Sequence, residues 1–598
     1  SKDFKDLTKE QLIEYINELR KQLNNEKYGL YFDRKVTPED IVNECKTKIP
    51  ILEREYELDI NNGGLENIMI EGDNFQVLTA LNLINDGNGI IDLIYIDPPY
   101  NTGQKDFIYN DSFVSKDDPY YHTTWLNFME KRLVLARDIL KETGVIFISI
   151  DEHEFAQLKL LCDSIFGESN FIENFIWIKN STKNLSKTTS TNHEYVLSYA
   201  KNIEIIRDIE MFRVAKPGIK EVFELLKKAN NEGRSPDYAE KQLKKFYKEN
   251  KDLKGISSYD RVDFGPSGGA ELRAFTLSDL SAPKSTGRGH TYEILHPTTN
   301  KPCKIPSRGW LYTEEVMKEH IKNGYVYFYN DETKVPRYKR YLETVKTDVR
   351  KSIITDFTDG KKELQKIFKT APFDNAKPTT LIKDLISTFP KDVIVLDFFA
   401  GSGTTGHAVI DLNKEDSGNR RFILCTNNEN NIMSQVCYPR IKSVINGKNY
   451  NGEFMHDPSD DVSLRFFKAG FIEDNISKDQ AKYNLIEKSD GLLSLKENIF
   501  DKVAQGKNFN IYSNNSTNRL MSIYNNYFDE KTFNEMLDKI KNLNHKENII
   551  YYFSLDNNVD EALEEKVISK INGSVVKPIP SKIYEIYKRI SDDIKREY

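Results

Sequence analysis

Val393-Ile394-Val395-Leu396-Asp397-Phe398-Phe399-Ala400-Gly401-Ser402-Gly403-Thr404-Thr405-Gly406 reads as an apolar strand, a glycine turn and the start of a helix. The run from Val393 to Leu396 is unbroken, as in a parallel strand covered on both faces. Gly401 and Gly403 let the backbone approach a ligand closely. A helix that opens here presents unpaired N–H groups, which suit a phosphate or a carboxylate. The spacing also satisfies G-x-G-x-x-G, so a dinucleotide site is one reading; that fold puts an acid about 20 residues on, at the end of the next strand. Here the next strand is Arg421 to Cys425, followed by Thr426-Asn427-Asn428-Glu429. Asn427 or Glu429 could bind a ribose of either kind of cofactor. No Lys follows the glycines, which excludes a Walker-type nucleotide loop.

The second decisive stretch lies far upstream, at Leu93-Ile94-Tyr95-Ile96-Asp97-Pro98-Pro99-Tyr100. Ile90 to Ile96 is apolar apart from Asp92 and again reads as a buried parallel strand. It runs directly into Asp97. Pro98 and Pro99 fix φ and carry no N–H, so the turn is stiff and its carbonyls face a ligand. An exocyclic aromatic amine, such as adenine N6, is a poor nucleophile because its lone pair is delocalised into the ring. One hydrogen bond to the Asp97 carboxylate and one to the Pro98 carbonyl turn that nitrogen toward tetrahedral geometry. Its lone pair is then aimed at an electrophilic methyl group, which is catalysis by positioning. Tyr100 offers a face on which a base can stack. A solvated Asp in a stiff loop is the plainer alternative, but the buried strand before it and the aromatic after it weigh against that. Nicotinamide chemistry has no use for this turn, which decides against a dinucleotide.

Strands and helices alternate around both stretches, so the fold class is α/β. Residues 1–55 read as a polar helical segment, with a Thr8/Gln11 capping box and a stripe of Leu12, Ile16, Leu19 and Leu23. In residues 56–204, Leu126, Met129, Leu133, Ala136 and Leu140 keep helical spacing, Gly144 ends that helix, and Val145 to Ile150 is a buried strand. Residues 205–365 change character, first dense in Lys and Glu, then rich in Gly, Ser, Pro and basic residues. Residues 366–445 hold the glycine turn. Residues 446–598 form a further domain, with a strand at Ile549 to Leu555 and a helix at Ser581 to Ile590.

At 598 residues, three or four units of about 150 residues each are expected. No apolar run approaches the roughly 18 to 20 residues of a membrane span. Ser1 to Gln22 lacks the apolar core of a signal peptide. The five cysteines are scattered, with no zinc spacing, so no metal is expected and the reading is a reducing, cytoplasmic protein. A net charge of −7 excludes a surface basic all over but leaves room for a basic cleft.

Together the two motifs resemble those of amino-methyltransferases. Asp-Pro-Pro-Tyr before Phe-x-Gly-x-Gly resembles the β-class order of N6-adenine and N4-cytosine DNA methyltransferases. Glu71-Gly72-Asp73-Asn74, Tyr109 to Phe113, Trp125 to Met129, Ile148 to Asp151, Asn192 to Tyr195 and Phe373 to Pro378 resemble further motifs of that class. The resemblance implies a Rossmann-like S-adenosylmethionine-dependent methyltransferase fold around one mostly parallel, seven-stranded sheet. A catalytic half (56–204) and a cofactor-binding half (366–445) flank an inserted target-recognition domain (205–365), and a C-terminal domain (446–598) is appended. It implies S-adenosylmethionine as cofactor, with Asp73 on its adenine and Lys377 on its methionine carboxylate. Asp97, Asp397, Phe399, Gly401, Gly403, Thr404 and Thr405 surround it, and Asn427 or Glu429 binds the ribose.

The size and the block from Trp125 to Asp151 most resemble the modification (Mod) subunits of type III restriction-modification systems, which Ile579-Pro580-Ser581-Lys582-Ile583 also fits. That subgroup implies double-stranded DNA as substrate, a homodimer and a separate restriction (helicase–nuclease) subunit. Asp97 favours adenine, since N4-cytosine enzymes usually carry Ser there. The adenine must be flipped out of the duplex. Residues 205–365 would read base edges in the major groove. Lys284, Arg288, Arg308, Arg337 and Lys339 are the candidate DNA contacts, although a lone basic residue is more often a solvated charge. The attacking lone pair is unprotonated, so no strong base is needed, and His122, His153 and His193 read as structural. The rivals are a solitary epigenetic methyltransferase, an enzyme acting on N4-cytosine, RNA or protein glutamine, and a non-catalytic DNA-binding assembly subunit.

Overall fold

The computed structural model describes residues 30, 32–34, 39–103, 107–109, 112–113, 120–179, 189–209, 211–355, 358–472, 484, 488–524, 529–552, 561–580, 583 and 585. The chain forms two compact units, Ser1–Met211 with Lys351–Tyr598, and Phe212–Arg350. The second is narrower at each end than the expected 205–365.

Ten strands build the main sheet of the first unit: β1 (Ile49–Arg54), β2 (Leu65–Glu71), β3 (Ile91–Ile96), β4 (Leu140–Ile150), β5 (Phe171–Ile178), β6 (His193–Ala200), β7 (Ile353–Thr355), β8 (Ile394–Asp397), β9 (Arg421–Thr426) and β10 (Val462–Ile472). Their order across the sheet is β1-β10-β2-β9-β8-β3-β4-β6-β5-β7. The seven contiguous strands from β2 to β5 are parallel except β6, which runs against both neighbours. The expected count of seven is corrected to ten, because β10 and β1 extend one edge and β7 the other. β1 also corrects the helical reading of residues 1–55 at its end, where the helix Asp40–Thr47 gives way to the strand. Its Pro50, which has no N–H to donate, sits on an edge strand, where a missing donor is tolerated. The stripe from Leu12 to Leu23 lies outside the described residues.

β8 lies between β9 and β3, pairing Val395 with Leu93 and Leu396 with Ile94. The two decisive stretches are therefore adjacent strands. Asp92, the polar exception in β3, accepts from Ile394 N (2.9 Å) and Lys141 Nζ (2.8 Å), so it stitches β3 to its neighbours. Ile94, Ile96, Ile146, Ile148 and Leu396 lie in the main apolar core. The helix expected to continue through Leu140 ends instead at Ile139, where Leu140 turns extended (ψ 139°) and opens β4. Gly144 sits in β4 where pairing with β3 shifts register, and a Cβ there would meet Lys141 O at 2.7 Å.

The region after residue 445 does not begin as a separate domain, because β10 belongs to the main sheet. Beyond it, Asp501–Gln505, Phe509–Asn514, Arg519–Tyr524, Glu547–Tyr552 and Ser574–Pro578 form a five-stranded sheet with its own core. The expected strand at Ile549 is part of it; the expected terminal helix falls almost entirely outside the described residues. The second unit packs helices Ile219–Asn231 and Pro236–Glu249 with a four-stranded antiparallel sheet. All five cysteines are free thiols. No helix among the described residues is long and apolar enough to cross a membrane.

Candidate active site

β2, β9, β8 and β3 are parallel neighbours, so Asp73, Asn427, Asp397 and Asp97 follow strands that end on one edge of the sheet. From β8 the chain passes to β9 on one side, and from β3 it passes to β4 on the other. Connections diverging from adjacent strands open a crevice at their carboxyl ends, the usual ligand position in such sheets. Asp97 and Asp397 stand at that switch point.

Asp97 accepts from Lys377 Nζ at both carboxylate oxygens (2.8 and 2.7 Å) and from Tyr100 Oη (2.9 Å). Glu194 completes the group, with Oε2 3.2 Å from Tyr100 Oη and 3.5 Å from Lys377 Nζ. Lys179 pairs with its other oxygen. Glu194 reaches this edge because β6 is antiparallel, so its start lies where the parallel strands end. Two carboxylates and two ammonium groups therefore balance inside the site. Burial pushes Asp97 above its ordinary value against the pull of Lys377. Burial opposes the charge on Lys377 too, but Asp97 and Glu194 together hold its ammonium above the usual range. For Glu194 the two lysines outweigh burial and hold the carboxyl down. Lys377, expected on a methionine carboxylate, thus has its charge met by two protein carboxylates. Its ammonium also lies 4.9 Å from the Tyr100 ring centroid.

The proline turn is clamped from behind, where Trp125 Nε1 donates to Pro99 O at 2.7 Å. No hydrogen bond among the described residues occupies the Pro98 carbonyl.

Asp397 is buried and accepts from Phe399 N (3.0 Å) and Thr405 Oγ1 (2.5 Å). Burial raises it to about 7 against both hydrogen bonds. Asp397 and Thr405 therefore shape the glycine turn from inside. Gly401 and Gly403 hold φ of 48° and 78°, in the left-handed region that favours glycine. At Gly403 a Cβ would also meet Cys437 Sγ at 3.1 Å. The buried Arg440 braces the turn, donating to Ser402 Oγ (3.0 Å) and Thr404 Oγ1 (2.8 Å). Phe399 is partly exposed at the turn, 6.0 Å from Phe128 between ring centroids.

Asp73 caps the helix Asn74–Leu83, its Oδ1 accepting from Phe75 N at 2.7 Å, and its Oδ2 lies 3.6 Å from buried Arg132. Asn427 and Glu429 are near the surface and bond each other at 3.4 and 3.5 Å. In the second unit Lys284, Arg288 and Arg308 are exposed. Arg337 lies 3.7 Å from Asp279, and Lys339 is held by Asp263 at 2.8 Å, so its charge is met within the fold.

Residues 91–436 match the family model described as DNA methylase. The chain belongs to the DNA methylase family. It is 32% identical over 445 residues to the type III restriction-modification enzyme EcoP15I Mod subunit of Escherichia coli, an alignment of 69% of this chain and 66% of the relative. It is 34% identical to the StyLTI Mod subunit of Salmonella typhimurium, over 61% of this chain and 53% of the relative. The type II methyltransferase M.KpnI of Klebsiella pneumoniae is also 34% identical, over 61% of this chain and 82% of its own length. The match thus spans less than two thirds of the length of these two Mod relatives.

Within this methylase, sequence reading missed Glu194 as a site carboxylate, Lys179 as its partner and Arg440 as the brace of the glycine turn. Glu194 stood in a stretch, Asn192 to Tyr195, already singled out by resemblance. Arg440 carried no local signal, since only the fold brings it to Thr404.

Proposed function

We propose that this chain is an S-adenosylmethionine-dependent DNA methyltransferase acting on adenine N6. The observation that carries the reading is the pairing of β3 with β8, which sets the Asp97–Tyr100 turn beside the glycine turn at the switch point. The residues suit the cofactor by chemistry. The helix Thr404–Asp416 opens at the glycine turn and offers N–H groups to a carboxylate, Asp73 and Glu429 offer acceptors to ribose and adenine, and Phe399 offers an aromatic edge. S-adenosylmethionine supplies an electrophilic methyl group. The chain's own part is orientation. The Asp97 carboxylate and the Pro98 carbonyl accept the two amine hydrogens and leave the nitrogen lone pair directed across the crevice. Lys377 and Tyr100 hold Asp97 in place, and Glu194 holds both of them.

The Mod relatives support a modification role in a restriction-modification system. To that role belong, in our reading, double-stranded DNA as substrate, a homodimer as the assembly and a restriction subunit as partner. Lys284, Arg288 and Arg308 of the second unit are the candidate phosphate contacts, and the flipped base would rest against Tyr100. The absence of a long apolar helix among the described residues is consistent with a cytoplasmic protein. The test is transfer of a labelled methyl group from S-adenosylmethionine to mixed-sequence duplex DNA by the purified chain. Incorporation into DNA, absent with RNA of the same sequence, supports the reading; label in RNA or in the protein alone overturns it.

A further inference from the structure

The turn that follows Tyr100 rests on two buried side chains that methyl transfer itself does not use. Asn101 holds φ at 59° and is fully buried. Its Nδ2 donates to Glu154 Oε1 at 2.5 Å and to Tyr121 O at 3.3 Å. Glu154 is also fully buried, between the end of β4 and the helix Phe155–Phe166. Its Oε1 is met a second time, by His122 Nδ1 at 2.7 Å. Two polar atoms of the pair remain: Asn101 Oδ1 and Glu154 Oε2 are buried without a hydrogen-bond partner among the described residues. Leaving one such atom bare is costly, and here two acceptors are bare on side chains already joined. A proton on Glu154 would turn one of the two bare acceptors into a donor that the other could accept. A carboxylic acid and a primary amide pair through two hydrogen bonds, N–H to the acid carbonyl and O–H to the amide carbonyl. The first is present at Oε1, which His122 Nδ1 also approaches, and Gln157 Nε2 lies 3.3 Å from that same ring nitrogen. Oε2, the oxygen without a partner, is the one left to carry the hydroxyl.

We infer that Glu154 is kept as a neutral carboxylic acid, hydrogen-bonded both ways to Asn101, and that this pair positions the Asp97–Tyr100 turn. The inference rests on the reading of that turn as the amine-binding element. The surroundings agree. Burial pushes Glu154 up to about 8, with Asn101 pulling down and Asp151 pushing up. His122, on the facing helix, is held below its ordinary value by burial and by His153. Asp151 is engaged by His153 at 2.9 Å. Because the folded value lies above the ordinary value of 4.5, the folded chain keeps a proton that the unfolded chain has released. The stability this proton provides is complete below pH 4.5 and is lost as pH rises through about 8.

The test compares full-length wild type, Glu154→Gln and Glu154→Ala by thermal melting and by single-turnover methyl transfer. Glutamine copies the neutral acid, with an amide N–H in place of the acid O–H. Glu154→Gln is expected to transfer methyl within about twofold of wild type near neutral pH and to keep its rate above about pH 8, where wild type declines. Its melting temperature should exceed that of wild type by a margin that widens from about pH 6 to about pH 8. Glu154→Ala is expected to lose about tenfold or more in rate with cofactor affinity unchanged. A glutamine variant as impaired as the alanine variant, or a melting gap that does not widen with pH, overturns the inference, since either result means that Glu154 is ionised. If wild type itself transfers no methyl to DNA, the functional reading fails, while the melting comparison still decides the pairing.

Discussion

In the proposed reaction Asp97 holds the amine, and its neighbours state what its loss should do. With Asp97→Ala, Lys377 keeps Glu194 as a partner, so the fold should survive. DNA binding should persist while methyl transfer falls by at least about a hundredfold, the scale for removing one preorganised hydrogen-bonding group. Near-normal transfer by the variant would remove Asp97 from catalysis. Lys377→Met probes the same carboxylate by pH. The Lys377 ammonium favours ionised Asp97 against the burial that raises it, so its removal lifts the Asp97 value further. The acid limb of the rate profile should therefore move to higher pH; an unmoved limb would contradict the coupling. The strand that delivers Asp97, Pro98 and Tyr100 to the crevice was legible in the sequence because one short stretch contains both the apolar run and the proline turn. The approach of Glu194 and of Lys377 to Asp97 was not. Lys377 lies 280 residues from Asp97, and no periodicity reports that distance.

At the scale of elements, the helix Asn74–Leu83 gives a way to separate two roles of one side chain. Asp73 caps that helix and is also the expected contact for the cofactor adenine. Asn ranks with Asp as an N-cap, so Asp73→Asn should keep the cap and lower the melting temperature only through the lost charge beside Arg132. It should weaken S-adenosylmethionine binding by about fivefold, because a charged acceptor becomes neutral. Unchanged affinity by calorimetry would assign Asp73 to capping alone. The strands around the site were readable because β3 from Leu93, β4 from Val145 and β8 as far as Leu396 are almost unbroken apolar runs. The edges were not: β7 has three residues, β10 carries Arg465 and Lys468, and β1 includes a proline. Leu140 deceived because its helical spacing is real, while pairing with Ile91 draws it into β4.

For the whole molecule, a net charge of −7 means that DNA affinity must come from local basic surface rather than from overall charge. A combined Lys284→Ala, Arg288→Ala, Arg308→Ala variant should weaken duplex binding. It should also flatten the slope of log affinity against log salt by about 0.9 for each phosphate that is no longer neutralised. An unchanged slope would place the DNA surface elsewhere. The alternation of strands and helices disclosed an α/β chain, and the resemblance implied the insertion. The order of strands, which joins the two halves through β3 and β8, is a long-range property that only the folded chain displays. The central claim, an adenine amine held by Asp97, is met most directly by mass spectrometry of nucleosides from duplex DNA treated with the chain and S-adenosylmethionine. The account predicts N6-methyladenine; N4-methylcytosine, or no methylated base from a chain that binds both cofactor and DNA, would contradict it.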